Sequence, residues 1–227
     1  MRRLLPVLLG LSILGLTLFP VRPVVAAHFL YPAYVTRYPQ PTLNLAVPYH
    51  RQQHTLSCEV ASLRMLFLHR GRDITENDLI VNMATGPMGS DPGLVFVGDI
   101  NGRQMTTGYG IDWDGLTHVA GVYQTSEAFH GRNLHFLIDR LHDGNPVIVW
   151  GSVYRSPRNV SWVTPEGKYV HAVSGEHTWV VTGYAGPRQA PTHIFTLDPI
   201  YGRRVFRTGD FLKNWAFYRN SGMFLKS

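Results

Sequence analysis

The chain of 227 residues contains a single cysteine, Cys58, and its thiol is the side chain best suited to nucleophilic chemistry. Cys58 follows Ser57 directly, where an apolar segment that ends at Gly71 predicts a buried helix. At the first turn of a helix, unpaired backbone N–H groups and the helix dipole stabilise a thiolate, the reactive form of the side chain. We therefore predict a nucleophile with a lowered thiol pKa. There are three alternatives: the thiol is buried and unreactive, it forms a disulfide with another chain, or the cysteine has no specific role.

A general base for this thiol must come from eleven histidines. His177 begins the most apolar predicted strand of the second half, where a ring can be held rigidly while it faces a cleft. Asp198 ends the following predicted strand, and Pro199 fixes it there. If the two strands are neighbours, the carboxylate can select the imidazole tautomer and stabilise the imidazolium. Without a catalytic role, His177 would be a half-exposed histidine at a strand end, and Asp198 would be a turn residue before proline.

A side-chain amide lies just upstream of the predicted nucleophile. Gln52 precedes Cys58 by six residues and could donate to an oxyanion alongside the Cys58 backbone N–H. Gln53 fits this role equally well by its spacing alone.

Other candidate sites are weaker. His50 and His54 have the spacing of two metal ligands on a helix, but Pro48 and nearby turn residues argue against a helix there. The glycines between Gly86 and Gly110 lack the framing and the Gly-Lys-Ser/Thr ending of a phosphate-binding loop. We therefore predict neither a metal nor a cofactor. Four tryptophans could line a groove, although core positions are commoner in a strand-rich half: Trp150, Trp162, Trp179 and Trp215.

Helical patterns precede strand patterns along the chain. Helices are predicted at Ser57–Arg70, with Ser57 as N-cap, from Thr75, with Asp78 completing a capping box, and at Asn133–His142. Short strands are predicted at Val147–Trp150, Tyr169–Val173, His177–Tyr184, His193–Leu197 and Arg203–Arg207. This order predicts the α+β class, with an antiparallel sheet packed against a helical side.

The segment Gly86–Tyr123 contains nine glycines and little periodicity. A loop of this length inside a compact domain is more often functional than idle. We predict that it forms a lid or a wall over the cleft.

The N-terminus has the pattern of an export signal. Arg2 and Arg3 precede a largely apolar run of 16 residues that ends at Phe19, and small residues follow at Val25–Ala27. Because a membrane-spanning helix needs about 20 apolar residues, a cleaved signal over residues 1–27 is favoured over a retained anchor. The protein is therefore expected to be secreted or extracytoplasmic.

The remaining chain is predicted to form one domain over residues 46–227, preceded by an extended arm rich in proline and tyrosine over residues 28–45. The hydrophobic share of 44% and the charged share of 16% exclude a disordered chain and a coiled coil. One cysteine excludes a disulfide framework and a thiolate zinc finger. Beyond residue 27 the net charge is only +3, too small to indicate nucleic-acid binding.

Several motifs together resemble the papain-like bacteriocin-processing (double-glycine) peptidases and their wider, exported peptidase-like branch. The resemblance covers about residues 45–218 and is carried by Val47-Pro48-Tyr49 with Gln52, Leu56-Ser57-Cys58-Glu59, Gly98-Asp99-Ile100-Asn101-Gly102, Thr107-Gly108-Tyr109-Gly110, Gly144-Asn145-Pro146-Val147, Gly175-Glu176-His177 and Asp198-Pro199-Ile200-Tyr201-Gly202-Arg203. The order Gln, Cys, His, Asp is that of papain-like enzymes.

This resemblance implies a papain-like fold in which a buried nucleophile helix packs on a C-terminal antiparallel sheet. It implies Cys58 as nucleophile, His177 as general base, Asp198 as the residue that orients the base, and Gln52 as oxyanion donor. Glu59 stands where the processing members have glycine, and this chain shows no transporter segment. Cleavage of double-glycine leaders is therefore not carried over to it.

The expected activity is that of an exported cysteine peptidase that cleaves a peptide amide through an acyl-enzyme. Its partner would be a peptide or protein substrate, with membrane contact only if the N-terminal segment is retained. Three alternatives use the same scaffold: a cell-wall amidase or endopeptidase acting on peptidoglycan, a binding module without turnover, and a transglutaminase-like acyl transferase.

Overall fold

The computed structural model describes residues 38–227. The predicted export signal over residues 1–27 and the first part of the predicted arm lie outside the described residues. The end of the arm contributes strand β1, Leu43–Asn44, which pairs with a long strand of the main sheet. Within residues 38–227, no helix combines the length and the apolar character needed to cross a membrane.

Five α-helices lie within the described part of the chain: α1 (Cys58–His69), α2 (Glu76–Val81), α3 (Trp113–Gly121), α4 (Leu134–His142) and α5 (Thr208–Trp215). The predictions of α1, α2 and α4 are confirmed. Thr75 and Asp78 form the predicted capping box of α2, and the side chain of Asn133 caps α4. Ser57 occupies the predicted N-cap position of α1, but its side chain makes no capping hydrogen bond, because the hydroxyl donates to the Glu76 carboxylate.

Ten strands follow β1 along the chain: β2 (Thr85–Gly86), β3 (Phe96–Val97), β4 (Ser126–Phe129), β5 (Val147–Ser152), β6 (Trp162–Val163), β7 (Tyr169–Val170), β8 (Glu176–Ala185), β9 (His193–Asp198), β10 (Gly202–Arg207) and β11 (Gly222–Leu225). The main sheet has the order β10-β9-β8-β5-β11-β4, and β1 also pairs with β8. Its neighbouring strands are all antiparallel. The predicted α+β class with an antiparallel sheet is therefore confirmed.

The main sheet is covered on both faces, which explains why its central strands are apolar throughout. In β5, Ile148 and Trp150 belong to the core on the side of α1, whereas Val147 and Val149 belong to the core formed with α4 and α5. Alternate residues of a strand point to opposite faces, so a strand buried on both faces loses the usual polar alternation. Helix α1 packs against β8 and β5, and most of its surface is buried, as predicted.

The glycine-rich segment Gly86–Tyr123 is more regular than predicted, because it contains β3 and all of α3. Helices α3 and α5 were not predicted, nor were strands β4 and β11. Gly115 interrupts the pattern of α3, and its missing side chain lets the helix approach Ile111 and the Pro92 carbonyl, where a Cβ would lie 2.7 Å from each. A glycine that permits close packing looks like a helix breaker in the sequence.

Gly98 begins the loop that leads from β3 toward the cavity described below, and it cannot carry a side chain. Its φ is +84°, and a Cβ would lie 2.4 Å from the Thr107 carbonyl oxygen. We expect Gly98→Ala to lower the free energy of unfolding by about 2–4 kcal/mol, because the conformation and the backbone contact both oppose a Cβ. Urea denaturation measures this change.

The matched control is Gly121→Ala, at the end of α3, where a Cβ meets no heavy atom within 4 Å. This change should be neutral or stabilise the protein by up to about 1 kcal/mol, because alanine favours helix. Equal denaturation midpoints for the two variants would contradict the prediction.

Candidate active site

Cys58 is the first residue of α1, and it is held there from two sides. Ser62, one turn further along the helix, shares a hydrogen bond of 3.1 Å with the Thr178 hydroxyl of β8. The backbone N–H of Thr178 interacts with the Cys58 sulfur. Helix α1 and strand β8 are thus joined beside the nucleophile, which fixes Cys58 relative to His177, the residue before Thr178.

The loop before Cys58 is organised around one buried carboxylate, that of Glu76 in α2. It accepts hydrogen bonds from the His50 ring at 2.7 Å, from the Gln53 backbone N–H at 3.1 Å and from the Ser57 hydroxyl at 2.5 Å. Sequence reasoning did not identify this residue, because nothing in the local pattern of α2 links it to the cysteine. Glu76 fixes the path of the chain into α1.

We expect Glu76→Gln to lower the free energy of unfolding by about 2–3 kcal/mol, because an amide cannot accept all of these bonds and leaves a buried donor unpaired. The measurement is a urea denaturation midpoint. Asp73→Asn is the control, since the side chain of Asp73 is 75% exposed where it pairs with Arg64 and should contribute less than about 1 kcal/mol. Equal effects of the two changes would contradict a central role for Glu76.

His177 and Asp198 are brought together by the pairing of β8 and β9. His177 Nε2 lies 3.2 Å from Asp198 Oδ1, and both side chains are buried. Asp198 Oδ1 also accepts from the backbone N–H groups of Ile200 and Tyr201, which follow Pro199. The carboxylate is thus held by its own turn, and it holds one nitrogen of the imidazole.

Trp179 completes this arrangement. Its indole N–H donates to Asp198 Oδ2 at 3.1 Å, and its ring packs edge-on against the His177 ring at a centroid distance of 5.2 Å. Trp150, Trp179 and Trp215 are core residues, as the sequence favoured. Trp162 is half-buried and packs on Tyr109. The polar contact of Trp179 was not predicted, although its position two residues after His177 places both side chains on one face of β8.

Three of the four predicted site residues line one cavity of about 200 Å³: Gln52, Cys58 and His177. Asp198 lies behind His177 and is completely buried. Gln104 and Tyr109 of the glycine-rich segment form part of the wall, together with Tyr154 and Tyr201. The predicted position of that segment beside the cleft agrees with this geometry.

Gln52 lies at the cavity, whereas Gln53 is exposed and outside its lining. The geometry therefore favours Gln52 of the two glutamines. Its amide nitrogen donates to the carbonyls of His54 and Thr55, at 2.8 and 3.0 Å. Both amide hydrogens are thereby used within the loop, so donation to an oxyanion requires the side chain to rearrange.

The predicted lowering of the Cys58 pKa is wrong for this conformation. Burial, followed by the charges of Glu59 and Glu176, raises the pKa of the thiol well above its usual value. The thiol hydrogen-bonds Glu59 Oε2 at 3.2 Å and not the His177 ring. The effect of the helix N-terminus on the thiol pKa is outweighed because the sulfur is buried and two carboxyl groups lie within 4.8 Å of it.

Glu59 and Glu176 are both buried beside Cys58, and sequence reasoning assigned a site role to neither. Burial raises the pKa of Glu59 to about 6, although the Ile111 backbone N–H and His177 favour its ionised form. The pKa of Glu176 is raised well above its usual value, first by burial and then by Glu59. The sequence contains one signal that could have identified them, because each acid is directly adjacent to a predicted site residue.

The two histidines that were considered as metal ligands have separate partners. His50 pairs with Glu76, and His54 Nδ1 lies 2.9 Å from the Asn101 side chain. Neither histidine lines the cavity of Cys58.

Comparison with known proteins identifies the family of the chain. The model of the peptidase C39-like family matches residues 44–223, which include every predicted site residue. The chain belongs to this family. Its papain-like class, inferred above from motifs, is thereby confirmed.

One relative by sequence and one solved structure resemble this C39-like chain. The uncharacterized protein YvpB of Bacillus subtilis (strain 168) is 31% identical over 177 residues, which span 70% of this chain and 64% of YvpB. A crystal structure from Bacillus anthracis, described as a C39-like peptidase, superposes with a TM-score of 0.72 at 20% identity, covering 83% of this chain and 98% of that one. The second likeness establishes a shared fold.

A third structure is more distant from this C39-like chain. It is a double-glycine motif protease of an AMS/PCAT transporter in complex with its leader peptide, and it superposes with a TM-score of 0.48 at 14% identity. The superposition covers 84% of this chain and 100% of that one.

Proposed function

We propose that this protein is an exported thiol peptidase that cleaves a peptide amide through an acyl-enzyme on Cys58. The observation that carries the proposal is the shared cavity of Cys58 and His177, with Asp198 buried behind the histidine. A nucleophile, a base and a residue that orients the base are the components of such catalysis. Membership of a peptidase family supports the reaction class.

The raised pKa of Cys58 determines how the reaction would begin. The thiol enters it protonated, so His177 must remove the proton as the sulfur attacks the substrate carbonyl. Asp198 stabilises the imidazolium that forms. The proton then passes to the leaving amine, the C–N bond breaks, and water hydrolyses the thioester to a carboxylate and the free thiol.

The oxyanion that forms during attack needs hydrogen-bond donors. The Cys58 backbone N–H and the Gln52 amide are the proposed donors. The Gln52 amide must first release the carbonyls of His54 and Thr55, to which it donates in this conformation. Substrate in the cavity would drive that exchange, because a charged acceptor forms a stronger hydrogen bond than a neutral carbonyl.

Export is part of the proposal and is supported by the positive, apolar and small-residue order of residues 1–27. The proposed substrate is a peptide or a protein outside the cytoplasm. Tyr154 and Tyr201 at the cavity offer aromatic surface for an apolar substrate side chain.

The test uses the full chain, a mixture of unmodified peptides and water enriched in oxygen-18. Mass spectrometry should find new C-termini that carry one heavy oxygen with the wild type and none with Cys58→Ser. Peptidoglycan is incubated in parallel, and release of cell-wall fragments alone would replace the proposal with the cell-wall hydrolase. Amine incorporation without hydrolysis would indicate acyl transfer.

A binding module without turnover is the second candidate, and two observations favour it. The thiol is neutral and bonded to Glu59, and the hydrogens of the Gln52 amide are already used. If wild type and Cys58→Ser give identical product spectra on every substrate, this candidate is supported and the peptidase proposal is overturned.

A further inference from the structure

A compact group of three potential metal ligands lies at the base of the cavity. The Cys58 sulfur and one carboxylate oxygen each from Glu59 and Glu176 all lie within 4.8 Å of one another. The three residues are only 5%, 0% and 4% exposed. They come from two elements that are fixed to each other, the first turn of α1 and the beginning of β8.

One of these ligands has an oxygen with no partner. Glu176 Oε1 is buried and makes no hydrogen bond to any residue of the described chain. The other oxygen, Oε2, has only a long contact of 3.5 Å with the Gln104 amide. A buried carboxylate normally has its lone pairs satisfied. The unpaired oxygen belongs to a carboxylate group that lies beside a sulfur and a second carboxylate, so this cluster keeps lone pairs that can bind a ligand.

The space between the carboxylates depends on Gly110. A Cβ at this residue would lie 2.3 Å from Glu59 Oε1 and 3.0 Å from Glu176 Oε2. Glu59 Oε1 is also fixed by the Ile111 backbone N–H at 2.8 Å. Both carboxylates thus approach Gly110 on the side where a Cβ would lie, and the backbone fixes the orientation of Glu59.

In the described part of the chain, no lysine or arginine compensates the ionised forms of the two carboxyl groups. Within residues 38–227, neither Glu59 nor Glu176 forms an ion pair with a lysine or an arginine. Buried charges are costly unless they are paired or bind a metal. A divalent cation would compensate both carboxylates at once.

The chemistry of the ligands selects the type of cation. Calcium and magnesium prefer six or more oxygen ligands, whereas one sulfur and two oxygens suit a softer ion with four ligands. Zinc is the divalent ion that commonly combines cysteine sulfur with carboxylate oxygen. Water or the His177 ring, which lines the same cavity, can complete the coordination.

We propose that Cys58, Glu59 and Glu176 form a zinc-binding site that holds the nucleophile in a metal-capped resting form. Binding forms a Zn–S bond and two Zn–O bonds, and it releases to solvent the thiol proton together with any proton that the two carboxyl groups carry. The sulfur lone pair is then no longer available to a carbonyl, and removal of the metal restores the free thiol. Metal binding at this site does not depend on the proposed peptidase function. Only the inhibition of peptide cleavage by the metal rests on that function.

The test titrates Co²⁺ into the full chain after treatment with a chelator and desalting. Cobalt replaces zinc in tetrahedral sites and gives a sulfur-to-metal charge-transfer band. We expect this band to saturate at one equivalent and to disappear when one equivalent of Zn²⁺ is added. Zinc should also protect Cys58 from iodoacetamide, and a chelator should reverse the protection. None of these measurements requires peptidase activity.

The variants Glu59→Gln and Glu176→Gln should each weaken cobalt binding about 10-fold or more, because each removes a charged ligand. Glu166→Gln, at an exposed position, should leave binding unchanged. If a glutamine variant fails to fold, Glu59→Asp or Glu176→Asp takes its place with the same expected weakening.

Absence of the charge-transfer band in the wild type would overturn the proposal, and protonated carboxyl groups would then account for the buried acids. Equal cobalt binding by wild type and by both acid variants would also overturn it, since the thiol would then bind metal without them.

Discussion

Cys58→Ser is expected to abolish peptide cleavage, with a loss of about 10⁴-fold or more, while the protein remains folded. Serine is close to cysteine in shape and can keep the hydrogen bond to Glu59. Its hydroxyl is, however, a far weaker acid than a thiol and stays unreactive unless a base activates it strongly. The measurement is the rate at which new peptide termini form, in a chelating buffer that keeps the thiol free of metal.

The second part of this prediction concerns the coupling between Cys58 and His177. His177→Ala should reduce the rate by a similar factor, and the double variant should be no slower than either single variant, because nucleophile and base act as one unit. Ser126→Ala, on β4 and away from the cavity, is the control and should keep the wild-type rate. More than about 1% residual cleavage by Cys58→Ser would contradict nucleophilic catalysis by Cys58.

The elements that position the site were largely predictable because each has a strong local signal. Helix α1 has a broad apolar stripe, and α2 and α4 have side-chain caps. The central strands are short apolar runs between turn residues. Local signals of this kind depend on propensity and periodicity, which the sequence displays directly.

The missed elements depend on tertiary contacts instead. Helix α5 has no side-chain cap and begins directly after β10. Strand β11 contains Gly222, where a Cβ would lie 2.4 Å from the Ile148 carbonyl oxygen, so close strand pairing requires glycine there. At Gly222 the feature that enables the packing also weakens the local strand pattern.

The candidate site likewise combines features that have local sequence signals with features that depend on tertiary contacts. The pairing of His177 with Asp198 could be predicted because both lie at ends of consecutive strands that proved to be neighbours. The environment of Cys58 could not, because it depends on two acids that the fold buries beside the sulfur. A helix N-terminus has a small, local effect on the thiol pKa, and burial of the thiol together with the two neighbouring carboxyl groups exceeds it. Protonation states are therefore harder to infer from sequence than the identity of the residues.

Asp198→Asn is expected to lower the cleavage rate about 10³- to 10⁴-fold and also to destabilise the protein. Asparagine can keep an oxygen toward His177 and the turn N–H groups, but its amide nitrogen then faces the indole N–H of Trp179. Two buried donors would oppose each other, at a cost of about 1–3 kcal/mol. The loss of the negative charge removes the stabilisation of the His177 imidazolium, which accounts for the lower rate.

The double variant Asp198→Asn with Trp179→Phe separates these two effects. Phenylalanine removes the opposing indole donor, so the urea midpoint should recover partly, whereas the cleavage rate should not, because the charge beside His177 is still absent. The single variant Trp179→Phe is the matched control and should lose less than about 10-fold in rate, since Asp198 keeps its bonds to His177 and to the turn. Recovery of both stability and rate in the double variant would mean that Asp198 only supports packing. Recovery of stability alone would identify its charge as the contribution to catalysis.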